Sequence, residues 1–130
     1  MTSSEIVRRF LDALNRRDLP AMLELAAPDV EIRSPRGPRH GHEGLERWLG
    51  EPYCHLDVQR IVEREHVAGP VVVASGRLRH CWREGGEVAD DIDGAWLAEV
   101  AGGRITLFQS FPDEASALAA AGLAPRGTPS

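Results

Sequence analysis

Apolar residues at helical spacing dominate the first fifty positions. A first amphipathic stripe recurs every three or four residues: Ile6, Val7, Phe10, Leu11 and Leu14. It predicts a helix that ends near Arg17, and Thr2 and Glu5 ahead of it have the spacing of a capping box. Asp18 and Pro20 predict the start of a second helix, because proline is tolerated in a first helical turn. After a short strand at 30–32 and a loop over 34–41, the stripe Leu45, Trp48 and Leu49 predicts a third helix.

Beyond Pro52 the period of the apolar pattern changes from 3.6 to 2. Alternation predicts strands over 56–62, 71–83, 88–100 and 105–111, and a short closing helix over 115–121. Gly69-Pro70, Gly85-Gly86 and Gly102-Gly103 separate the strands as hairpin turns. Helices followed by an antiparallel meander predict an α+β fold with the helices on one face of the sheet. Without a repeat or a linker, residues 1–130 are expected to form a single domain, with 124–130 as a loose tail.

Three motifs resemble the opening of SnoaL-like proteins of the nuclear transport factor 2-like superfamily. They are FLDALNRRDL at 10–19, PDVEI at 28–32 and GHEGL at 41–45. GRI at 103–105 and the Ala-rich end running to Gly122-Leu123 resemble the family's closing strand and tail. The resemblance implies a cone-shaped, curved, mainly antiparallel sheet with the N-terminal helices on its concave face around an apolar pocket. It also implies a homodimer through the outer face of the sheet. Activities in the family range over isomerases, polyketide cyclases, epoxide hydrolases, dehydratases and non-catalytic binders, so the fold alone does not choose one.

The charge and composition of the chain limit the classes of partner that it is expected to bind. A net charge of −5 argues against nucleic acid, which requires a clustered basic face. The polar, acidic start and the absence of a long apolar run predict neither a signal peptide nor a membrane span, so a cytoplasmic protein is expected. Cys54 and Cys81 have no metal-ligand spacing. No metal and no cofactor are therefore predicted, and the expected partner is a small apolar ligand.

Strand register decides which side chains face the pocket. If Gly85-Gly86 and Gly102-Gly103 are both two-residue turns, His80 lies opposite Asp91 with Asp93 diagonal to it. The face they share is Leu78, His80, Trp82, Ala89, Asp91, Asp93, Ala95, Leu97, Phe108 and Ser110. The opposite face is Arg77, Arg79, Cys81, Asp90, Ile92, Trp96, Gln109 and Phe111. The resemblance suggests that the first set is concave, and a slip of one residue in either turn would exchange the sets.

His80 with Asp91 or Asp93 forms the candidate catalytic group. A carboxylate next to an imidazole fixes its tautomer and suits it to acid/base chemistry, although cross-strand His–Asp pairs are often only solvated surface contacts. The residues expected to line the pocket are Phe10, Leu14, Ser34, Trp48, Leu78, Trp82, Leu97, Phe108 and Ser110. For Trp48 and the helix stripe, plain core packing is the alternative. On the outer face, Arg77, Arg79 and Trp96 are expected to form the dimer surface.

Three positions separate this chain from its characterised relatives. Phe10 stands where ketosteroid isomerases have their oxyanion tyrosine, and Ser34 where they have the general-base aspartate. Ser110 stands where polyketide cyclases and limonene-epoxide hydrolases have an acid. None of those mechanisms carries over. Three hypotheses stay open: an acid/base enzyme acting on a small, mainly apolar molecule, a non-catalytic binding protein, and a homodimeric interaction domain whose cavity its own side chains fill.

Overall fold

Helical and strand segments follow one another much as the apolar pattern predicts. The computed structural model describes residues 1–34, 37–50 and 56–123. Its helices are α1 (Ser3–Asn15), α2 (Leu19–Leu25), α3 (Gly41–Gly50) and α4 (Glu114–Ala121). Its strands are β1 (Ala26–Ser34), β2 (Gly37–His40), β3 (Leu56–Ala68), β4 (Val71–Trp82), β5 (Val88–Ala101) and β6 (Arg104–Phe111). The predicted α+β class is confirmed, while Cys54 and the predicted tail at 124–130 lie outside the described residues.

The first two helices begin where the sequence predicts. The Thr2 hydroxyl accepts a hydrogen bond from the Glu5 backbone N–H at 3.1 Å, which satisfies one of the unpaired donors at the start of α1. The Asp18 carboxylate does the same for α2 by accepting from the Ala21 N–H at 3.3 Å. Both caps therefore fix the residue at which each helix begins.

The strands form one curved, open sheet in the order β2-β1-β6-β5-β4-β3. All neighbouring pairs are antiparallel except β1 and β6, which are parallel. The sequence placed a loop over 34–41, and this prediction is wrong for 37–40, which pair with β1 as strand β2. The Ser34 hydroxyl donates to the Gly37 carbonyl at 2.9 Å and helps to close that hairpin. Short, polar β2 carries no apolar alternation, which is why the pattern missed it.

Two cores lie on opposite faces of the sheet. On the concave face the N-terminal helices pack around Phe108, whose ring centroid lies 5.2 Å from that of Phe10 and 5.9 Å from that of Trp48. On the other face α4 covers a smaller cluster that includes Leu97 and Leu118. The concave core therefore holds the sheet against α1 and α3 and sets the floor of the cavity described below.

The predicted pairing of β4 with β5 is wrong by one residue. The Trp82 N–H donates to the Glu87 carbonyl at 2.9 Å, so the hairpin loop holds the four residues 83–86 rather than Gly85-Gly86 alone. An extra residue, Ala89, then bulges out of β5 between the pairs Cys81–Val88 and His80–Asp90. The longer loop and the bulge partly offset each other. The net result is that His80 lies opposite Asp90 instead of Asp91.

From Asp90 onwards this shift turns the side chains of β5 to the other face of the sheet. Asp91, Asp93 and Leu97 point away from the concave side, and Trp96 points into it, contrary to prediction. The turn at Gly102-Gly103 is the predicted two-residue turn, with Ala101 opposite Arg104. A second bulge at Thr106 then shifts the register once more, so Phe108 and Ser110 share a face with Ala98 and Trp96. The two errors cancel on β6, where Phe108 and Ser110 lie on the predicted face.

Candidate functional site

A cavity of about 210 Å³ lies on the concave face, between the sheet and α3. Its lining is mostly apolar, with a few polar groups: Ser34, Trp48, Val58, Arg60, Leu78, His80, Gly94, Trp96, Ser110 and Phe111. A mainly apolar wall with a small number of polar groups is the usual composition of a small-molecule site. The arrangement can therefore enclose an apolar molecule and contact it through four polar side chains, those of Ser34, Arg60, His80 and Ser110.

His80 reaches the cavity because β4 alternates. Leu78 and His80 lie two residues apart, so both project to the concave face. The His80 side chain is 16% exposed, and its buried Nδ1 makes no hydrogen bond. The nearest carboxylate oxygen, Asp90 Oδ2, is 3.9 Å from Nδ1, beyond hydrogen-bond distance, and the Asp90 side chain is 55% exposed. His80 thus has a neighbouring carboxylate, but not the one that the sequence predicted.

Arg60 is the site residue that the sequence analysis missed. It is only 9% exposed and lines the cavity from β3, where it lies opposite Leu78. The Asn15 side chain holds its backbone from both sides, donating to the Arg60 carbonyl and accepting from the Arg60 N–H, both at 2.9 Å. The signal was present, because Val58, Arg60 and Val62 alternate and must share one face. An arginine at such a position is ordinarily assumed to point to solvent.

The two predicted acidic partners lie on the opposite face of the sheet. Arg77 donates from Nε to Asp91 Oδ1 at 2.9 Å and from Nη1 to Asp93 Oδ1 at 2.6 Å. Arg79 Nη2 also donates to Asp91, at 3.2 Å. The hydrogen bond from Arg77 has the largest effect on Asp91; burial opposes it and Arg79 reinforces it, so the pKa of Asp91 lies below its usual value. These carboxylates therefore form a ladder of ion pairs and do not touch His80.

Asp91→Asn is expected to flatten the acid limb of the stability profile. Because the folded-state pKa of Asp91 lies below the unfolded value of about 3.9, its ionised form contributes stability above that pH, which is lost as the pH falls through the folded pKa. Thermal unfolding between pH 5 and pH 3 should show a smaller decrease in midpoint for Asp91→Asn than for the parent. Asp29→Asn, at an exposed position of β1, is the control and should follow the parent. Equal decreases for Asp91→Asn and the parent would contradict the ion-pair assignment.

The remaining predicted pocket residues divide into three groups. Ser34, Trp48, Leu78 and Ser110 line the cavity. Core residues Phe10, Leu14 and Phe108 lie below it, and Leu14 also lines a neighbouring pocket of about 20 Å³. Two do not contribute: Trp82 is 47% exposed near the end of β4, and Leu97 packs under α4. The lining thus comes from β1, β3, β4, β5, β6 and α3 together, with more from β3 than the sequence predicted.

Trp96 is removed from the predicted dimer surface. It is 2% exposed and faces the cavity, because the one-residue shift of β5 turns it inward. Arg77 and Arg79 are on the outer face, where both are engaged by Asp91. Dimerisation through that face stays a prediction, now without its aromatic residue.

Neither a metal cluster nor a membrane helix is found in the part of the chain that the structure describes. No three His, Cys, Asp or Glu side chains lie close enough together there to hold a metal ion. Among the same residues, no helix is long and apolar enough to cross a bilayer. Cys81 is a free, half-buried thiol.

The fold and the cavity place the protein in the nuclear transport factor 2-like class. Residues 7–108 match the model of the SnoaL-like domain, and the chain belongs to this family. No curated protein matches the chain. The predicted family is thereby confirmed, while the family's varied chemistry leaves the activity to be argued from the cavity.

Solved structures of similar fold support the same assignment. An NTF2-like protein of unknown function from Burkholderia pseudomallei is 24% identical, with a TM-score of 0.74 over 92% of this chain and 97% of that one. A hypothetical protein with a ketosteroid isomerase-like fold from Catenulispora acidiphila, in complex with trimethylamine, is 23% identical, with a TM-score of 0.71 over 99% of this chain and 100% of that one. TerC, co-crystallised with polyporic acid, is 21% identical, with a TM-score of 0.73 over 88% of this chain and 93% of that one. At these identities the likeness concerns the fold.

Proposed function

We propose that this SnoaL-like protein encloses a small, mainly apolar molecule in the concave cavity and transfers a proton to or from it through His80. The observation that carries the proposal is the placement of a largely buried imidazole in the wall of an otherwise mostly apolar cavity. Histidine is the side chain whose charge ordinarily changes near neutral pH, which suits it to both halves of a proton transfer. Structures of the same fold with polyporic acid and with trimethylamine support small-molecule binding as a general use of this architecture.

The cavity volume bounds the size of the ligand. An apolar cavity of roughly 150 Å³ in another protein accepts benzene. At about 210 Å³, this cavity would hold one ring with substituents or a compact two-ring molecule. The indole and aliphatic side chains of Trp48, Trp96 and Leu78 would cover its faces.

The proposed reaction is proton abstraction next to a carbonyl group. The neutral His80 ring takes a proton from the carbon, the C–H electron pair becomes the enolate, and the imidazolium returns the proton to the same or another atom of the ligand. Asp90 can stabilise the imidazolium through solvent or after a small rotation, since its oxygen is 3.9 Å from Nδ1. No oxidant, metal or second substrate is needed for this exchange.

A non-catalytic binding protein is the second candidate. The observation that favours it is the same 3.9 Å separation, together with the exposure of Asp90. Without a carboxylate bonded to the ring, nothing in the described site fixes the imidazole tautomer, as efficient acid/base sites usually do. In that case His80 would serve as a polar contact for the ligand.

Deuterium exchange tests both candidates. The protein is incubated in D₂O with acetophenone, 2-indanone and 3-acetylbenzoate, and NMR follows both binding and loss of the protons next to the carbonyl. We expect at least one ketone to bind and to exchange faster than in buffer. Ser110→Leu, which would fill the cavity, should abolish both effects while the protein stays folded. Binding without exchange would favour the second candidate, and absence of binding would contradict both.

A further inference from the structure

We propose that Ser34 and Ser110 together bind one hydroxyl group of the ligand, which makes hydroxylated aromatic molecules the class that the cavity prefers. This inference rests on the proposed function, since it specifies what that cavity takes. Ser110 donates a hydrogen bond to the ligand hydroxyl, and Ser34 accepts one from it. The positions of the two serines, and the hydrogen bond that already engages Ser34, carry the argument.

Ser34 and Ser110 lie next to each other in the sheet. Strands β1 and β6 are parallel, and the pair Ile32–Phe108 places Ser34 beside Ser110 two residues further along. Ile32 and Phe108 belong to the concave core, so alternation returns both serines to the same face, where they line the cavity. Because neighbouring strands are about 4.8 Å apart, one ligand oxygen can lie within hydrogen-bond distance of both hydroxyl groups.

The hydroxyl proton of Ser34 is already used. Ser34 Oγ lies 2.9 Å from the carbonyl oxygen of Gly37, and a carbonyl oxygen only accepts, so the Ser34 hydroxyl is the donor. Towards the cavity Ser34 therefore presents an oxygen that can accept a hydrogen bond but has no proton left to donate. The same bond lies within the β1–β2 hairpin, which holds this oxygen in place.

Ser110 supplies the complementary donor. Its side chain is half-buried in the cavity wall, and no hydrogen bond joins its hydroxyl group to the residues that the structure describes. The hydroxyl group can therefore rotate and donate its proton to a ligand. A donor and an acceptor at adjacent points match a hydroxyl group, which accepts and donates through one oxygen. A carbonyl or ether oxygen only accepts, so it would leave the Ser34 oxygen without a donor.

The rest of the wall suits the carbon skeleton of such a ligand. The side chains of Trp48, Trp96 and Leu78 are apolar surfaces against which an aromatic ring can pack. His80 projects from β4, which β5 separates from β6. A molecule that fills the cavity therefore contacts the serines from one strand pair and His80 from another. Binding of its hydroxyl group would fix the orientation in which the ligand meets the imidazole.

Two ketones of the same shape provide the test. 3-Hydroxyacetophenone and 3-methylacetophenone are both uncharged near neutral pH and differ only in a hydroxyl against a methyl group. Their dissociation constants are measured by calorimetry or ligand-observed NMR, and exchange of the acetyl protons is followed in D₂O. We expect the parent to bind the hydroxyl compound about 10-fold more tightly, the contribution of one or two neutral hydrogen bonds. Ser110→Ala should lose this preference by weakening the binding of the hydroxyl compound alone.

Three further variants assign the effect to the serine pair. Ser116→Ala removes a half-buried serine hydroxyl from α4, outside the cavity, and should keep the full preference. Ser110→Thr retains the hydroxyl group and should keep the ratio of the two affinities, which separates lost hydrogen bonding from altered packing. Ser34→Ala removes the acceptor and should also lower the ratio, so the test stands if Ser110→Ala folds poorly.

The outcomes separate this inference from the proposed function. Equal affinity of the parent for the two ketones, or an undiminished preference in folded Ser110→Ala, would overturn the role of the serine pair even if the acetyl protons exchange. A preference for the hydroxyl compound that Ser110→Ala removes, without exchange of any ketone, would support the serine pair and contradict the proton transfer. If neither ketone binds the parent, the inference is overturned.

Discussion

His80→Gln lowers the rate of proton exchange in the bound ketone by about 100-fold or more, the usual contribution of a general acid or base. Glutamine preserves polarity and approximate size but cannot accept and return a proton near neutral pH. The dissociation constant should change little, because the other residues that line the cavity are untouched. A loss in rate without a loss in binding is the signature of a group that acts in the transition state.

The chain offers a matched control for this variant. His66 lies on β3 away from the cavity and is 17% exposed, close to the 16% of His80. Its Nε2 is 3.4 Å from the carboxylate of Glu114 on α4. His66→Gln therefore removes an equally buried imidazole without touching the proposed site. The His66→Gln variant should exchange the protons next to the ketone's carbonyl at the rate of the parent protein. Equal rates for His80→Gln and the parent would remove His80 from the chemistry and leave the binding-protein candidate.

Gly76→Ala is expected to cost about 3 kcal/mol of folding free energy or more. A Cβ at position 76 would lie 1.9 Å from the Ile61 carbonyl oxygen and 2.9 Å from the Glu63 nitrogen. Both atoms belong to the backbone of β3, which bulges at Glu63 and passes close to β4. No rotamer change can relieve such contacts, so one of the strands must move.

Denaturant unfolding measures this effect, with Gly50→Ala as the control. Gly50 ends α3, and a Cβ there meets nothing within 4 Å, so its replacement should be neutral or slightly stabilising. Arg60 on β3 and Leu78 on β4, which both line the cavity, form a cross-strand pair two residues from the pair that contains Gly76. We therefore expect partially folded Gly76→Ala also to bind ligand poorly. A loss of folding free energy below about 1 kcal/mol would show that β3 and β4 do not approach each other as closely at Gly76 as described.

The helices and the long strands were predictable because each depends on a local pattern. The stripe through Phe10 and Leu14 is buried as a 3.6-residue period requires, and the caps at Thr2 and Asp18 start the first two helices. Alternation along β4 places His80 and Arg77 on opposite faces, and the family resemblance suggested that the face of His80 is the inward one. Features that depend on one segment are thus within reach of sequence reasoning.

The site itself depends on features that no local pattern contains. The bulges at Ala89 and Thr106 belong to the pairing of β5 with β4 and of β6 with β5, and each shifts the register by one residue. The four-residue loop 83–86 and the bulge at Ala89 together place Asp90 instead of Asp91 opposite His80, and the bulge at Thr106 returns Ser110 to the predicted face. Arg60 was missed for a different reason: its burial depends on α1 and α3 covering that end of β3. The charge of the arginine side chain suggested that Arg60 is exposed, whereas the packing of the fold buries it.

The imidazole ¹⁵N resonances test the central claim most directly. Long-range ¹H–¹⁵N spectra report each of the five histidine rings, and His80→Gln assigns the one in the cavity. During titration with the ketone that binds most tightly, we predict a saturable shift of both His80 ring nitrogens with the affinity measured for binding, and no comparable shift of His66. His80 resonances that stay unchanged when the ligand is bound would contradict the account, because the imidazole would then not face the bound molecule.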